Sequence, residues 1–148
     1  MQSVDLGEMK GLKKFFEDVL KEFPEEKRKL HQRVAVIAEQ IVKGQTGSET
    51  LSNMQESFVG SRGGYAAVKA KRGGRGPKSA GAITNYNENG HKIRKPNGRS
   101  KNYRPRIHTI FVNGRHFYQK SRSLVESAAI REAQIFAEEF AEKAGAGK

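Results

Sequence analysis

The sequence contains no cysteine. Disulfide bonds, thiolate catalysis and cysteine-based zinc sites are therefore excluded. No stretch approaches the roughly 20 apolar residues that a membrane span needs. The first eight residues also lack the basic stretch and apolar run of a signal peptide. We therefore expect a soluble protein that is intracellular when it is made and has no membrane partner.

Acidic residues are almost absent from the middle of the chain. Residues 59–125 contain sixteen Lys or Arg side chains and a single acid, Glu88, which gives this segment a net charge of +15. The flanking segments 1–58 and 126–148 carry only −1 and −2, so the total of +12 is concentrated in the middle. Such a local charge predicts an anionic partner, either nucleic acid or an acidic protein surface, in preference to a membrane surface.

The ends of the chain have helical patterns. Apolar side chains at spacings of three and four predict N-terminal helices within residues 5–43, with a break at Pro24 and a second helix ending near residue 42. The connector 44–57, rich in Ser, Thr, Gly and Asn, is predicted to hold one short helical turn. Residues 117–143 predict a long C-terminal helix, whose core-facing side chains include Leu124, Ile135 and Phe136.

Strand patterns lie between these helices. Short apolar or alternating stretches predict strands at residues 58–59, 65–71, 82–86 and 107–112. Two basic loops, 72–81 and 87–106, separate them, and a loop as long as the second is usually functional or disordered. The order predicts one α+β domain over residues 1–148. In it, the helices pack on a small antiparallel sheet of three to four strands within region 58–112.

Candidate catalytic and metal-binding residues are few. The histidines His31, His91, His108 and His116 form no H-E-x-x-H or comparable pair. Glu88 and His91 could bind a metal ion or share a proton, although a polar contact in a turn is the commoner use of that spacing. The Gly-rich run 72–81 lacks the spacing of a phosphate-binding loop, and no helix is predicted after it. We therefore predict no catalytic, metal or cofactor site and no enzyme activity.

The two basic loops are the candidate functional surface. Their cations could contact phosphates while Tyr103, with Tyr86 nearby, stacks on bases, as in nucleic-acid-binding proteins. The same residues could instead pack on an acidic neighbouring subunit, where arginine is a common interface anchor. Composition favours neither interpretation. The residues of this surface are Arg72, Arg75, Lys78, Lys92, Arg94, Lys95, Arg99, Lys101, Tyr103, Arg104 and Arg106.

Short motifs along the chain resemble those of a bacteriophage family. They are Thr46-Gly47, Leu51 and Ser57 in the connector, Glu88, Gly90 and His91 in an E-x-G-H element, and Gly114 and Phe117 at the entry to the last helix. With the order of helices and strands, they are similar to those of the tail-completion or neck proteins of long-tailed bacteriophages. Two departures stand out: residues 48–50 replace a single residue of the usual connector, and Asn87 stands where the family has an apolar or aromatic residue.

The resemblance implies a structural protein of the virion neck or tail, assembled in the host cytoplasm. Such a protein forms a ring with copies of itself, expected to be a hexamer. The ring joins the head connector to the tail tube or terminator around the DNA channel. Glu88, Gly90, His91, Gly114 and Phe117 would be structural, with Glu88 and His91 fixing the exit of the long loop. The basic loops would become ordered on neighbours during assembly. The alternative is a basic nucleic-acid-binding protein that uses loop 87–106.

Overall fold

The chain is α+β in a computed structural model that describes residues 24–93 and 111–145, and residues 10–23 apart from 12, 15, 16, 19 and 20. The described residues between 10 and 22 are helical. The later helices are α1 (Pro24–Gln45), α2 (Glu49–Asn53), α3 (Ala80–Asn89) and α4 (Phe117–Gly145). The strands are β1 (Gln55–Val59), β2 (Ala66–Ala70), β3 (Gly90–Lys92) and β4 (Phe111–Asn113), with 3₁₀ turns at Ser61–Gly63 and Gly76–Lys78. Within this described part, no helix has the length and apolar character needed to cross a bilayer.

Helix α1 begins at Pro24, which confirms the predicted break in the helical pattern. Phe23, with φ −125° and ψ 73°, is not helical, and proline suits the first turn because an N–H there would have no partner within the helix. Two acidic residues in that turn stabilise the positive end of the helix dipole. The helix ends at Gln45. There Thr46 donates its N–H and its hydroxyl to the carbonyl of Lys43, at 3.4 and 2.9 Å.

Helices α1 and α4 pack against each other in antiparallel directions. Leu30, early in α1, and Phe136, late in α4, are buried together in the core. At the opposite end, Arg115 just before α4 reaches the backbone carbonyl of Thr46 just after α1, at 3.0 Å. Burying apolar side chains of this size contributes about 1.5–3 kcal/mol each. This helix pair therefore brings the end of the connector and the start of α4 side by side.

The described strands form two separate two-stranded sheets. Strand β1 pairs antiparallel with β2, from Gln55 opposite Ala70 to Val59 opposite Ala66. Strand β3 pairs antiparallel with β4 over three residues, from Gly90 opposite Asn113 to Lys92 opposite Phe111. The predicted sheet of three to four strands is therefore not confirmed. The two short sheets share no strand pairing among the described residues, and α3 lies between β2 and β3 in the chain.

The predicted strand at residues 82–86 is wrong, because these residues lie in α3. Ser79 caps the helix by accepting the N–H of Ala82 with its side chain, at 3.2 Å, which satisfies one of the unpaired donors of the first turn. The helix missing from the prediction after the Gly-rich run is thus present. The predicted loop 87–106 also begins with regular structure, since residues 87–89 belong to α3 and 90–92 to β3. Residues 94–106 and the predicted strand residues 107–110 lie outside the described residues.

Glu39 connects α1 to β1. Its carboxylate accepts the backbone N–H and the hydroxyl of Ser57, at 2.8 and 2.5 Å, and pairs with the ammonium of Lys43 at 2.5 Å. The hydrogen bond from Lys43, followed by those from Ser57, lowers the pKa of Glu39 to about 2. Each of these donors favours the ionised carboxylate.

Stability should therefore depend on pH through Glu39. The folded-state pKa of Glu39, about 2, lies below the ordinary 4.5. The contribution of this carboxylate to the free energy of unfolding is therefore complete above pH 4.5 and is lost as the pH falls towards 2. Urea unfolding of wild type and Glu39→Gln should give stabilities that converge over this pH range. Glu142→Gln, which removes an exposed carboxylate near the end of α4, is the control. Equal convergence for both variants would contradict the role of Glu39.

Candidate functional site

The end of α3 caps the start of α4. The carboxylate of Glu88 accepts the backbone N–H groups of Tyr118 and Gln119, at 3.0 and 3.2 Å. These donors lie in the first turn of α4, where N–H groups lack partners within the helix and the dipole is positive. The backbone carbonyl of Glu88 also accepts the N–H of His116, at 3.2 Å. We call this arrangement the α3–α4 junction.

Two glycines allow the junction to close. Gly90 has φ +79°, and a Cβ there would overlap the carbonyl oxygen of Val112. A Cβ at Gly114 would overlap the backbone carbonyl of Glu88 and lie 2.7 Å from the carbonyl carbon of Asn89. Only glycine allows the chains to approach this closely. Closure of the junction therefore requires glycine at both position 90 and position 114.

Four of the five predicted motif residues come together in the junction, and His91 does not. Glu88, Gly90 and Gly114 form its backbone contacts, and the side chain of Phe117 is fully buried at the start of α4. The side chain of His91 is exposed on β3, and its ring lies 5.3 Å from that of Tyr86. Because α4 occupies both oxygens of Glu88, these contacts favour a structural role for that residue. Among the described residues, no group of His, Asp or Glu could hold a metal ion.

A buried polar network lies beneath the junction. The side chain of Gln55 is fully buried and donates to the hydroxyl of Thr84 and to the carbonyl of Leu51, at 3.1 and 3.2 Å. Its carbonyl accepts the hydroxyl of Tyr118. Burial, and to a smaller extent the charge of Glu88, raises the pKa of Tyr118 to about 12, so the hydroxyl remains a donor at neutral pH. Sequence reasoning missed this network because Gln55 is 29 positions from Thr84 and 63 positions from Tyr118. No local pattern relates residues that are so far apart in the chain.

The connector reaches the same part of the molecule. The guanidinium of Arg115 donates to the carbonyl of Thr46, and the hydroxyl of Ser48 accepts the N–H of Leu51 to cap α2, at 3.5 Å. Thr46 and Leu51, which belong to the connector motif, are both buried. The motifs at residues 46–51, 88–90 and 114–117 therefore lie around one junction, although they are far apart in sequence.

The predicted basic surface is described only in part. Arg72, Arg75 and Lys78 are exposed on the segment between β2 and α3, and Lys92 is exposed on β3. None of these four residues forms an ion pair with another described residue. Arg94, Lys95, Arg99, Lys101, Tyr103, Arg104 and Arg106 lie outside the described residues. Pairing of β3 with β4 holds the two ends of the intervening segment side by side.

Scans against protein-family models, curated proteins and solved structures found no match to this chain. The described residues present a closed structural junction and exposed, unpaired cations on either side of α3.

Proposed function

We propose that this chain is a non-enzymatic structural protein of the bacteriophage neck. It forms a ring, expected to be a hexamer, that joins the head connector to the tail tube or terminator around the DNA channel. It acts in the virion, after assembly in the host cytoplasm. The basic loops are its contacts with neighbouring proteins or with DNA.

The observation that carries this proposal is the convergence of the motifs on which the family resemblance rests. Thr46 of the connector, Glu88 and Gly90 of the E-x-G-H element and Gly114 at the entry to the last helix meet at the α3–α4 junction, whereas Ser57 and His91 lie outside it. The sequence relates these residues only by their order along the chain, and one set of contacts in the structure explains them together. Capping a helix from a segment 30 residues away fixes where the intervening chain leaves the body and returns.

The charge distribution gives the second support. Residues 94–110 carry six Lys or Arg side chains and no acid, and they are anchored at both ends by the β3–β4 pair and the junction behind it. A segment with six cations and no acid can bind an anionic surface of a neighbouring protein or of DNA.

A nucleic-acid-binding protein is the second candidate. The aromatic pair of Tyr86 and His91 lies at the base of the basic segment beside the exposed Lys92. Aromatic rings next to cations suit single-stranded nucleic acid, where bases stack while phosphates are neutralised. This function would need no ring.

Light scattering at low and high salt, with and without duplex DNA, tests the two candidates. The neck proposal predicts a ring-sized oligomer, alone or when mixed with head-connector protein, whose mass does not depend on DNA. A small species that binds DNA tightly and releases it as salt rises would overturn the proposal in favour of the second candidate. A small species that binds neither DNA nor head connector would contradict both.

A further inference from the structure

In the β1–β2 pair, alternate residues of each strand direct their backbone N–H and C=O groups away from the partner strand. The N–H of Gly60 donates to the carbonyl of Tyr65, and that of Lys71 to the carbonyl of Met54, at 2.8 and 2.7 Å. In an antiparallel ladder, residues alternate between facing the partner strand and facing away from it. The register therefore directs the backbone groups of Ala66, Val68 and Ala70 outward from β2.

The outer edges of the two strands differ. On β1, the outward N–H of Ser57 is bonded to the carboxylate of Glu39 on α1. On β2, the outward groups of Ala66, Val68 and Ala70 have no hydrogen-bond partner within the described part of the chain. A free strand edge offers alternating donors and acceptors to another strand. The edge of β2 combines these free groups with space beside it.

That space is an open groove between β2 and α3, with a volume of about 330 Å³. Val68 and Ala70 line one side, and Gly81 and Asn85 of α3 line the other. Among the described residues, no atom outside the neighbouring backbone of α3 lies within 4 Å of the place where a Cβ of Gly81 would stand. The groove thus has a backbone edge on one wall and a helix with small and amide side chains on the other.

The free charges near the groove are positive. Lys71 and Arg72 follow β2 directly, are exposed, and form no ion pair with a described residue. Glu88 also lines the groove, but both of its carboxylate oxygens accept backbone N–H groups of α4, and Glu56 lies 3.9 Å from Lys69. A negatively charged occupant would therefore meet cations without meeting a free carboxylate.

We propose that the outer edge of β2 is a docking site for an extended acidic peptide segment of a partner protein, which adds a third strand to the β1–β2 sheet. Backbone hydrogen bonds to Val68 and Ala70 supply binding, and Lys71 and Arg72 select acidic side chains. Among the described residues, Glu88 and Asn89 line the groove, but none of the cations assigned to the basic loop 87–106 does. Peptide binding at this edge does not require ring formation, so it can succeed or fail independently of the proposed function.

Fluorescence anisotropy with a labelled peptide of alternating Glu and Val residues tests this site. The wild type should bind this peptide and bind a peptide of alternating Lys and Val more weakly. Ala70→Pro removes an outward N–H while leaving the ladder to β1 intact, as proline is tolerated on a free edge. It should weaken binding about tenfold, as expected for the loss of a backbone hydrogen bond and the steric effect of the ring.

Two further measurements keep the test decisive. The Glu-Val peptide with N-methyl groups on alternate amides cannot pair as a strand and should not bind, a result that does not depend on how the Ala70→Pro variant folds. The double variant Lys71→Gln with Arg72→Gln should bind the Glu-Val peptide more weakly than the wild type does. It should no longer prefer the Glu-Val peptide to the Lys-Val peptide. Equal binding of methylated and unmethylated peptides would overturn the proposal. So would a wild-type dimer that Ala70→Pro converts to a monomer, because a second copy would then occupy the edge.

Discussion

Gly114→Ala is expected to lower the free energy of unfolding by about 3 kcal/mol or more, the upper range for overpacking a closed contact. The new methyl group would overlap the backbone carbonyl of Glu88, which accepts the N–H of His116. Backbone atoms held in this way cannot rotate aside as a flexible side chain could. Because a domain of this kind is stable by only about 5–15 kcal/mol, urea unfolding should show a large shift of the midpoint.

Gly81→Ala is the matched control. Gly81 lies in α3, and no atom outside its neighbourhood in the helix lies within 4 Å of the added Cβ. Alanine favours helix over glycine by up to about 1 kcal/mol, so stability should stay the same or rise. If both substitutions cost the same, or if Gly114→Ala costs nothing, the close contact of the junction is not what holds α4 in place.

The helices could largely be predicted because their signals are local. Pro24 marks the start of α1, and the spacing of apolar residues indicates both α1 and α4. The same spacing was wrong in detail on α4, where Leu124 and Ile135 are 48% and 41% exposed although they were placed in the core. Periodicity identifies the apolar face of a helix. It does not tell how far along that face the neighbouring elements extend.

The error at residues 82–86 shows the limit of short apolar patterns. The five residues 82–86 include Ile83, Thr84 and Tyr86, types that favour strands, but the same segment forms part of a helix once Ser79 caps it. The buried hydrogen bond between Thr84 and Gln55 then fixes the helix against β1. A local pattern could not include this contact, which joins residues 29 positions apart.

For the candidate site too, the residues with local signals could be predicted and their long-range contacts could not. Glu88, Gly90, Gly114 and Phe117 could be selected from the sequence as motif residues, but their common reason could not, because the carboxylate and the helix that it caps are 30 residues apart. Arg115 and Tyr118, which lie beside those motif residues, were not selected at all. Their partners Thr46 and Gln55 come from the other half of the chain. Long-range polar contacts leave no periodic signal.

Replacing Arg94, Lys95, Arg99 and Lys101 with Ser is expected to abolish most head–tail joining while leaving the fold intact. The four changes lower the net charge from +12 to +8 and remove cations from a segment whose ends are held by β3 and β4. Infectious particles should fall severely in a complementation assay with a phage lacking the gene. Circular dichroism and the melting temperature should stay close to those of the wild type.

The control for this variant removes the same charge elsewhere. Changing the exposed residues Lys10, Lys14, Lys21 and Arg131 to Gln also gives a net charge of +8, at helical positions that glutamine suits. It should leave infectivity unchanged, whereas a loss in both variants would mean that only total charge matters. Wild-type infectivity of the loop variant would contradict the role of the segment.

If the segment binds DNA, the slope of log affinity for DNA against log salt concentration should also fall by about 0.9 per lost phosphate contact, since each contact releases counterions. An unchanged salt dependence together with lost infectivity would instead assign the segment to a protein neighbour.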